Sequence, residues 1–330
     1  MKKIKVLVRE VNRKDVFNEK YYNWLRKLGD VSIYDQAGFE DKEYYLNFLK
    51  GANIIITSWG SPAIDQEVLD VCPDLELICH AAGTPKPVLG EAAIAKRIPT
   101  TYSACALGEG VAETALGFAI SASKRFYWLN QDTANGLWKD NAKKCVDFYD
   151  ITVGVISGGF VGRHFIKLLQ NFNVDVLLYD PTMTAEQVAA LGATKAELDE
   201  MLMKSDVISI HAPSIPATEK MLNASNLHLI KDGALLINTS RGAVIDEPAL
   251  IEELKTGRFY ACIDVTAPEP PALENELRSL NNVVLTPHVA GCITNGKLRI
   301  AKHVCEEIER FVNGEPLRTP VIFENLSKMA

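Results

Sequence analysis

The chain has 330 residues, a length that allows about two domains and a sizeable buried core. Hydrophobic residues make up 47% and charged residues 23%, which excludes disordered, collagen-like and coiled-coil chains. A net charge of −7 leaves no overall basic field for nucleic acid or anionic lipid, and no apolar run approaches the ~18 residues of a membrane helix.

The first residues, MKKIKVLVREVNRK, hold too short an apolar stretch for a signal peptide and read as a strand. From there short apolar runs alternate with amphipathic stretches, the pattern of an α/β protein with parallel sheets. Strands are predicted at Ile4–Val8, Val31–Tyr34, Ile54–Thr57 and Leu75–Cys79. A helix is predicted over Val16–Leu28, with Gly29 as its C-terminal stop. A longer helix, Gly108–Leu129, leads to a second series and carries Phe126, Tyr127 and Trp128, which read equally as core or as a subunit contact. That series has strands at Thr152–Ile156, Val174–Tyr179, Val207–Ile210, Ala234–Ile237, Ala261–Val265 and Val283–Thr286. Six strands interleaved with helices suffice for a complete dinucleotide-binding unit. An amphipathic helix, Leu298–Asn313, follows and can return the chain to the first domain. The cysteines (72, 79, 105, 145, 262, 292 and 305) form no C-x-x-C pair, and they read as buried reduced thiols of a cytoplasmic protein.

The strongest local motif is TVGVISGGFVGRHFIKLLQNFNVDVLLYDP, from Thr152 to Pro181. A strand enters a glycine-rich turn, a helix follows, and a second strand ends at Asp180. Such a turn lets the backbone approach a pyrophosphate, whose charge is stabilised by the free N–H groups of the helix N-terminus. Gly159 clears space for the phosphate and Gly162 lets helix and strand pack closely, while Ser157 stands where the fingerprint has its first glycine. Asp180 lies at the spacing of a ribose-binding acid, and its charge would repel a 2′-phosphate.

Three later segments place polar residues just past strand ends, where open parallel sheets hold ligands. They are INTSRGAVIDEPAL with Arg241, CIDVTAPEPP with Asp264 and Glu269, and VVLTPHVAG with His288. An arginine can clamp a carboxylate through two hydrogen bonds, and a histidine held by a glutamate is a natural proton donor. His211 follows a strand and can border the cofactor, and His80 has a supporting place at most. No cluster of Asp, Glu, His or Cys has metal-ligand spacing.

With these residues in view, the chain resembles the D-isomer-specific 2-hydroxyacid dehydrogenase family over nearly its whole length. The resemblance is most specific in Asn238–Phe259, Asp264–Pro270 and Thr286–Gly291. It implies two doubly wound parallel-sheet domains: a Rossmann nucleotide domain (107–293) inserted into a flavodoxin-like substrate domain (1–106 and 294–330), with a cleft between them and a homodimer joined through the nucleotide domains. Carried over to this chain, Arg241, Glu269 and His288 are catalytic. NAD is held by Ser157, Gly159, Phe160, Val161, Gly162, Asp180, His211, Thr239, Asp264 and Gly291, with Asp264 on the nicotinamide carboxamide. The substrate is met by Trp59, Ala82 and Gly83 together with Arg241 and His288. Leu107 departs from a position that is often polar in the family.

The implied activity is hydride transfer between NAD and a small 2-keto or 2-hydroxy acid. The loop Ser58-Trp59-Gly60-Ser61-Pro62 holds no arginine, and Lys86 is the one cation read near it. That favours a non-phosphorylated acid such as glyoxylate or hydroxypyruvate over a phosphoglycerate. The competing expectation is a non-catalytic NAD(H) sensor on the same fold. A formate oxidase is disfavoured by Glu269, where related formate enzymes carry an amide, and a methyltransferase would leave Arg241 and His288 idle.

Overall fold

The computed structural model describes residues 1–139, 141–291 and 293–329. It divides into two compact units, Met1–Leu107 with Cys292–Ala330, and Gly108–Gly291. Each is an α/β unit built on one all-parallel sheet.

The first unit has β1 (Lys2–Leu7), β2 (Gly29–Ile33), β3 (Ile54–Thr57), β4 (Leu77–His80) and β5 (Thr100–Tyr102), in the order β2-β1-β3-β4-β5. This is the flavodoxin-like doubly wound order, which reverses between β1 and β3. The central strands are buried on both faces, so β3 and β4 read as IIIT and LICH rather than as alternating patterns. One face packs against the helices Glu19–Leu28 and Leu298–Val312, whose Leu25, Ile300, Val304 and Ile308 meet Ile4, Val6, Ile54 and Ile56.

The second unit has β6 (Ile151–Ile156), β7 (Val174–Tyr179), β8 (Thr194–Lys195), β9 (Val207–Ile210), β10 (Leu235–Asn238), β11 (Tyr260–Ile263) and β12 (Val283–Leu285). Their order, β12-β11-β10-β9-β6-β7-β8, is the Rossmann order extended by one strand, with its reversal between β6 and β9.

Several sequence expectations change. The helix predicted over Val16–Leu28 is two helices, Glu10–Val16 and Glu19–Leu28, because the Asn18 side chain caps the second by accepting the Tyr21 N–H. Gly29 is not a left-handed stop: it is extended, with φ −171°, and already belongs to β2. A Cβ there would lie 2.5 Å from the Lys2 carbonyl oxygen, so the glycine serves the close approach of β2 to β1. The linking helix runs over Ala104–Ser123 and ends before Arg125, which adopts a left-handed φ of 57°; a second helix covers Phe126–Ala134. The short strands β5 and β8 carry too few residues for a periodic signal, and β8 makes seven strands where six were read. Cys292 lies outside the described residues.

Replacing Gly29 by alanine is expected to destabilise the first unit by about 1–3 kcal/mol through overpacking between β1 and β2. Urea unfolding followed by circular dichroism measures this, and an unchanged midpoint would refute the close-approach reading.

Candidate active site

In the second unit three neighbouring strands, β10, β11 and β12, each release a loop at the same edge of the sheet. The first carries Arg241. Asn238, at the end of β10, accepts from the Ser240 N–H and hydroxyl and donates to the Arg241 carbonyl, which fixes the turn. The guanidinium stays exposed, and its Nη1 donates to the Ser240 carbonyl. At Gly242 a Cβ would lie 2.1 Å from the Thr266 carbonyl carbon, so the absent side chain lets this loop touch the next one.

That second loop carries Glu269. One carboxylate oxygen accepts the Thr266 N–H, and the other meets the His288 Nδ1 at 2.7 Å. With Nδ1 engaged, Nε2 is the ring nitrogen left to carry a transferable proton. His288 sits at a left-handed φ of 54°, a strained conformation for a non-glycine residue. Asp264 maintains it. This carboxylate is 2% exposed and accepts from the Thr286 hydroxyl and from the N–H groups of Val289 and Ala290. The His288 N–H bonds to the Asp264 carbonyl as well. The structure thus places Asp264 beneath the His288 loop, with most of its acceptor capacity already used.

The glycine-rich turn lies at the same edge, at the end of β6. Ser157 adopts φ 79°, so serine takes the left-handed geometry expected of the first glycine. A Cβ at Gly162 would lie 2.0 Å from the Ser157 carbonyl oxygen. At Gly159 a Cβ would meet nothing nearer than the Ser157 Oγ at 3.8 Å, which leaves open space at the N-terminus of the helix Phe160–Leu169. Phe160 and Val161 form the first turn of that helix. Asp180, the residue after β7, accepts with one oxygen from the Gly158 N–H at 2.8 Å and with the other from the N–H and hydroxyl of Thr182. Among the described residues, two buried polar atoms nearby have no partner: the Thr239 Oγ1, after β10, and the His211 Nδ1, after β9. Such orphans suit a polar ligand laid across the strand ends. Gly291 follows Ala290 on the β12 loop.

Trp59, Ala82 and Gly83 belong to the first unit and lie past the ends of β3 and β4. Among the described residues the N–H groups of Ala82, Gly83 and Thr84 donate to no other group, an arrangement that suits an anion. His80 clips this turn down, with its Nδ1 3.0 Å from the Thr57 hydroxyl. Ser61 is buried and spends its hydroxyl on the Leu7 carbonyl and the Ser58 N–H, so it supports the Trp59 loop from below. Lys86 donates to the Met329 carbonyl. Arg9, which the sequence reading passed over, packs its guanidinium against Gly60 beside Trp59. Its signal in the sequence is a place just past the β1 strand end, the same kind of place as that of Arg241.

Residues 116–290, just over half the chain, match the family model for the D-isomer specific 2-hydroxyacid dehydrogenase, NAD binding domain. The chain belongs to this family. It is 28% identical over 319 residues to a D-3-phosphoglycerate dehydrogenase of Archaeoglobus fulgidus, covering 96% of this chain and 59% of that protein. The chain therefore spans about three-fifths of that relative's length. It is also 28% identical over 308 residues to a hydroxypyruvate reductase of Blautia hydrogenotrophica, covering 89% of this chain and 92% of that one. The fold is shared with the crystal structure of a D-isomer specific 2-hydroxyacid dehydrogenase from Lactobacillus delbrueckii ssp. bulgaricus in its NAD complexed form. The TM-score is 0.79 at 21% identity, over 97% of this chain and 100% of that one.

The open space at Gly159, the tight turn at Ser157–Gly162 and the orphaned Thr239 and His211 atoms all fit the NAD of this dehydrogenase family. Among the described residues no group of three or more His, Cys, Asp or Glu could hold a metal ion.

Burial keeps two of the chain's histidines neutral, pushing His80 down to about 4 and His211 down to about 3. Below pH ~6.5 the unfolded chain gains protons that these folded rings refuse until far lower pH. Stability is therefore full near pH 7 and falls as pH drops toward 4, by roughly 3 kcal/mol from His80 alone. Urea midpoints measured from pH 7.5 to 4.5 should fall less steeply in a His80→Asn variant. Parallel curves would contradict the burial argument.

Proposed function

We propose that the protein is an NAD-dependent reductase that converts a small 2-keto acid into its D-2-hydroxy acid. The observation that carries this reading is the Glu269–His288 pair beside the Arg241 loop, raised from adjacent strand ends. NADH, when bound, supplies the hydride that reaches the keto carbon. Arg241 offers planar, charge-assisted donors that bind the substrate and stabilise the charge growing on its oxygen. His288 delivers the proton from Nε2 to that oxygen, which completes the alcohol. Glu269 holds the imidazole by accepting from Nδ1 and stabilises the ring while it is charged. Within the first unit, the Ala82–Thr84 turn, whose three N–H groups donate to nothing among the described residues, is suited to an anion such as a carboxylate. Asp180 leaves negative charge at the end of β7, which favours a ribose with free hydroxyls over a 2′-phosphate. A sensor without turnover would have no use for the Glu269–His288 pair.

His288→Asn is expected to lower kcat by roughly 10²–10⁴ while NADH binding, read by quenching of protein fluorescence, stays near that of the unsubstituted protein. In the same assay NADH should exceed NADPH in kcat/KM. Near-full activity of the variant would sink the assignment.

We also infer a cytoplasmic homodimer. The segment after the linking helix exposes Phe126 (59%), Tyr127 (39%), Leu137 (43%), Trp138 (74%) and Tyr149 (67%), more apolar surface than a monomer usually leaves in one stretch. Trp128, by contrast, packs on Tyr260 and donates to the Asn281 carbonyl. Trp138→Ser should shift the equilibrium toward monomer in sedimentation velocity, and a monomeric unsubstituted protein would overturn the inference.

A further inference from the structure

The first unit gathers an unexpected cation at the strand edge where β1, β3 and β4 end. Arg9 stands two residues beyond β1. Its guanidinium lies against Gly60, where a Cβ would come within 2.4 Å of Nη2, and the positive φ of 73° there shapes the loop around it. The Nε is buried without a partner, and Nη2 makes only a long contact of 3.5 Å with the Trp59 carbonyl. No carboxylate among the described residues pairs with it. Asn12 takes the better bond to the Trp59 carbonyl, at 2.7 Å, so the loop is held in place without Arg9. The hydroxyl of Thr84, in the turn with the free N–H groups, is likewise buried and unpartnered.

Two anion-seeking features thus share one sheet edge, the Ala82–Thr84 turn after β4 and Arg9 after β1, with β3 and Trp59 between them. Neighbouring strands lie ~4.8 Å apart, so two steps separate the features by about 10 Å before the arginine side chain reaches back. A two-carbon acid held at the turn is too short to bridge that gap; a substrate with a second anionic group a few atoms away is not. We propose that Arg9 is a specificity-determining residue that binds a second anion, carboxylate or phosphate, at the far end of the keto acid. This rests on the reductase reading above and narrows its substrate class. It also revises the premise for a non-phosphorylated substrate, since the loop's lack of arginine is made good from another element.

The test compares kcat/KM for glyoxylate and pyruvate with that for oxaloacetate, 2-ketoglutarate and 3-phosphohydroxypyruvate, in the unsubstituted protein and in Arg9→Gln and Arg9→Lys. We expect at least one acid with a distal anion to exceed glyoxylate. Arg9→Gln should cut kcat/KM for that acid about 10- to 100-fold, mostly through KM, and leave glyoxylate within about threefold. Arg9→Lys should restore part of the loss, as a point charge without the fork. Which distal group responds separates a dicarboxylate from a phosphorylated substrate. The proposal falls if glyoxylate is preferred, if all acids lose equally, or if none responds. Failure of the unsubstituted protein to reduce any keto acid would instead sink the reductase reading, and this proposal with it.

Discussion

The buried carboxylate of Asp264 is the contact on which the candidate chemistry depends. Removing a carboxylate from water costs several kcal/mol unless hydrogen bonds replace its hydration. Here the replacements are the Thr286 hydroxyl and the Val289 and Ala290 N–H groups, all from one loop. The same bonds that make the burial tolerable wrap the loop around the acid and hold His288 in its left-handed conformation. Glu269 then needs only the Thr266 N–H and the touch of the Gly242 loop to present its carboxylate to the ring. The His288 ring is thus placed by an acid that its own side chain never touches.

The sheet order explains why these loops meet. Parallel strands all end at one edge, and connections to opposite faces leave room where the order reverses. In the second unit the reversal falls between β6 and β9, with the Ser157–Gly162 turn on one side and His211 on the other. The Arg241, Glu269 and His288 loops follow from the next three strands. In the first unit the reversal falls between β1 and β3, beside Arg9 and Trp59. Two different doubly wound orders, each with one reversal, therefore yield a nucleotide-fitting edge in one unit and an anion-fitting edge in the other, and side chains decide which.

Much of this is legible in the sequence because burial on both faces writes long apolar strands such as Ile54–Thr57 and Val207–Ile210. The motif residues are legible because strand ends and turns restrict what can follow them. Elements defined by contact rather than periodicity are not legible. The two-residue β8 exists because it pairs with β7, and Gly29 looks like a helix stop until β1 is placed beside it. The break at Arg125 is similar: its left-handed turn lets the guanidinium lie 3.5 Å over the Tyr260 ring, a partner far away in sequence. Arg9 is marked in the sequence only by its place past a strand end, and the arrival of Gly60 on the loop after β3 shows what its guanidinium faces. Asp264 stands out in the sequence as a candidate, whereas the demands of the His288 loop on its oxygens do not show there.

The turn at Ser157 shows how one acid can serve two purposes. A left-handed non-glycine residue costs roughly 1–2 kcal/mol, so the serine persists only if neighbours impose the conformation. Gly162 admits the Ser157 carbonyl on one side, and Asp180 draws in the Gly158 N–H on the other. The carboxylate that would discriminate against a 2′-phosphate is therefore also a strut of the phosphate turn. Exchanging it for a small neutral residue removes the repulsion and the strut together, so cofactor preference and turn order cannot be separated that way. An asparagine separates them better. It is uncharged, yet its single carbonyl oxygen can still accept from Gly158 or from Thr182, though not from both sides as the carboxylate does.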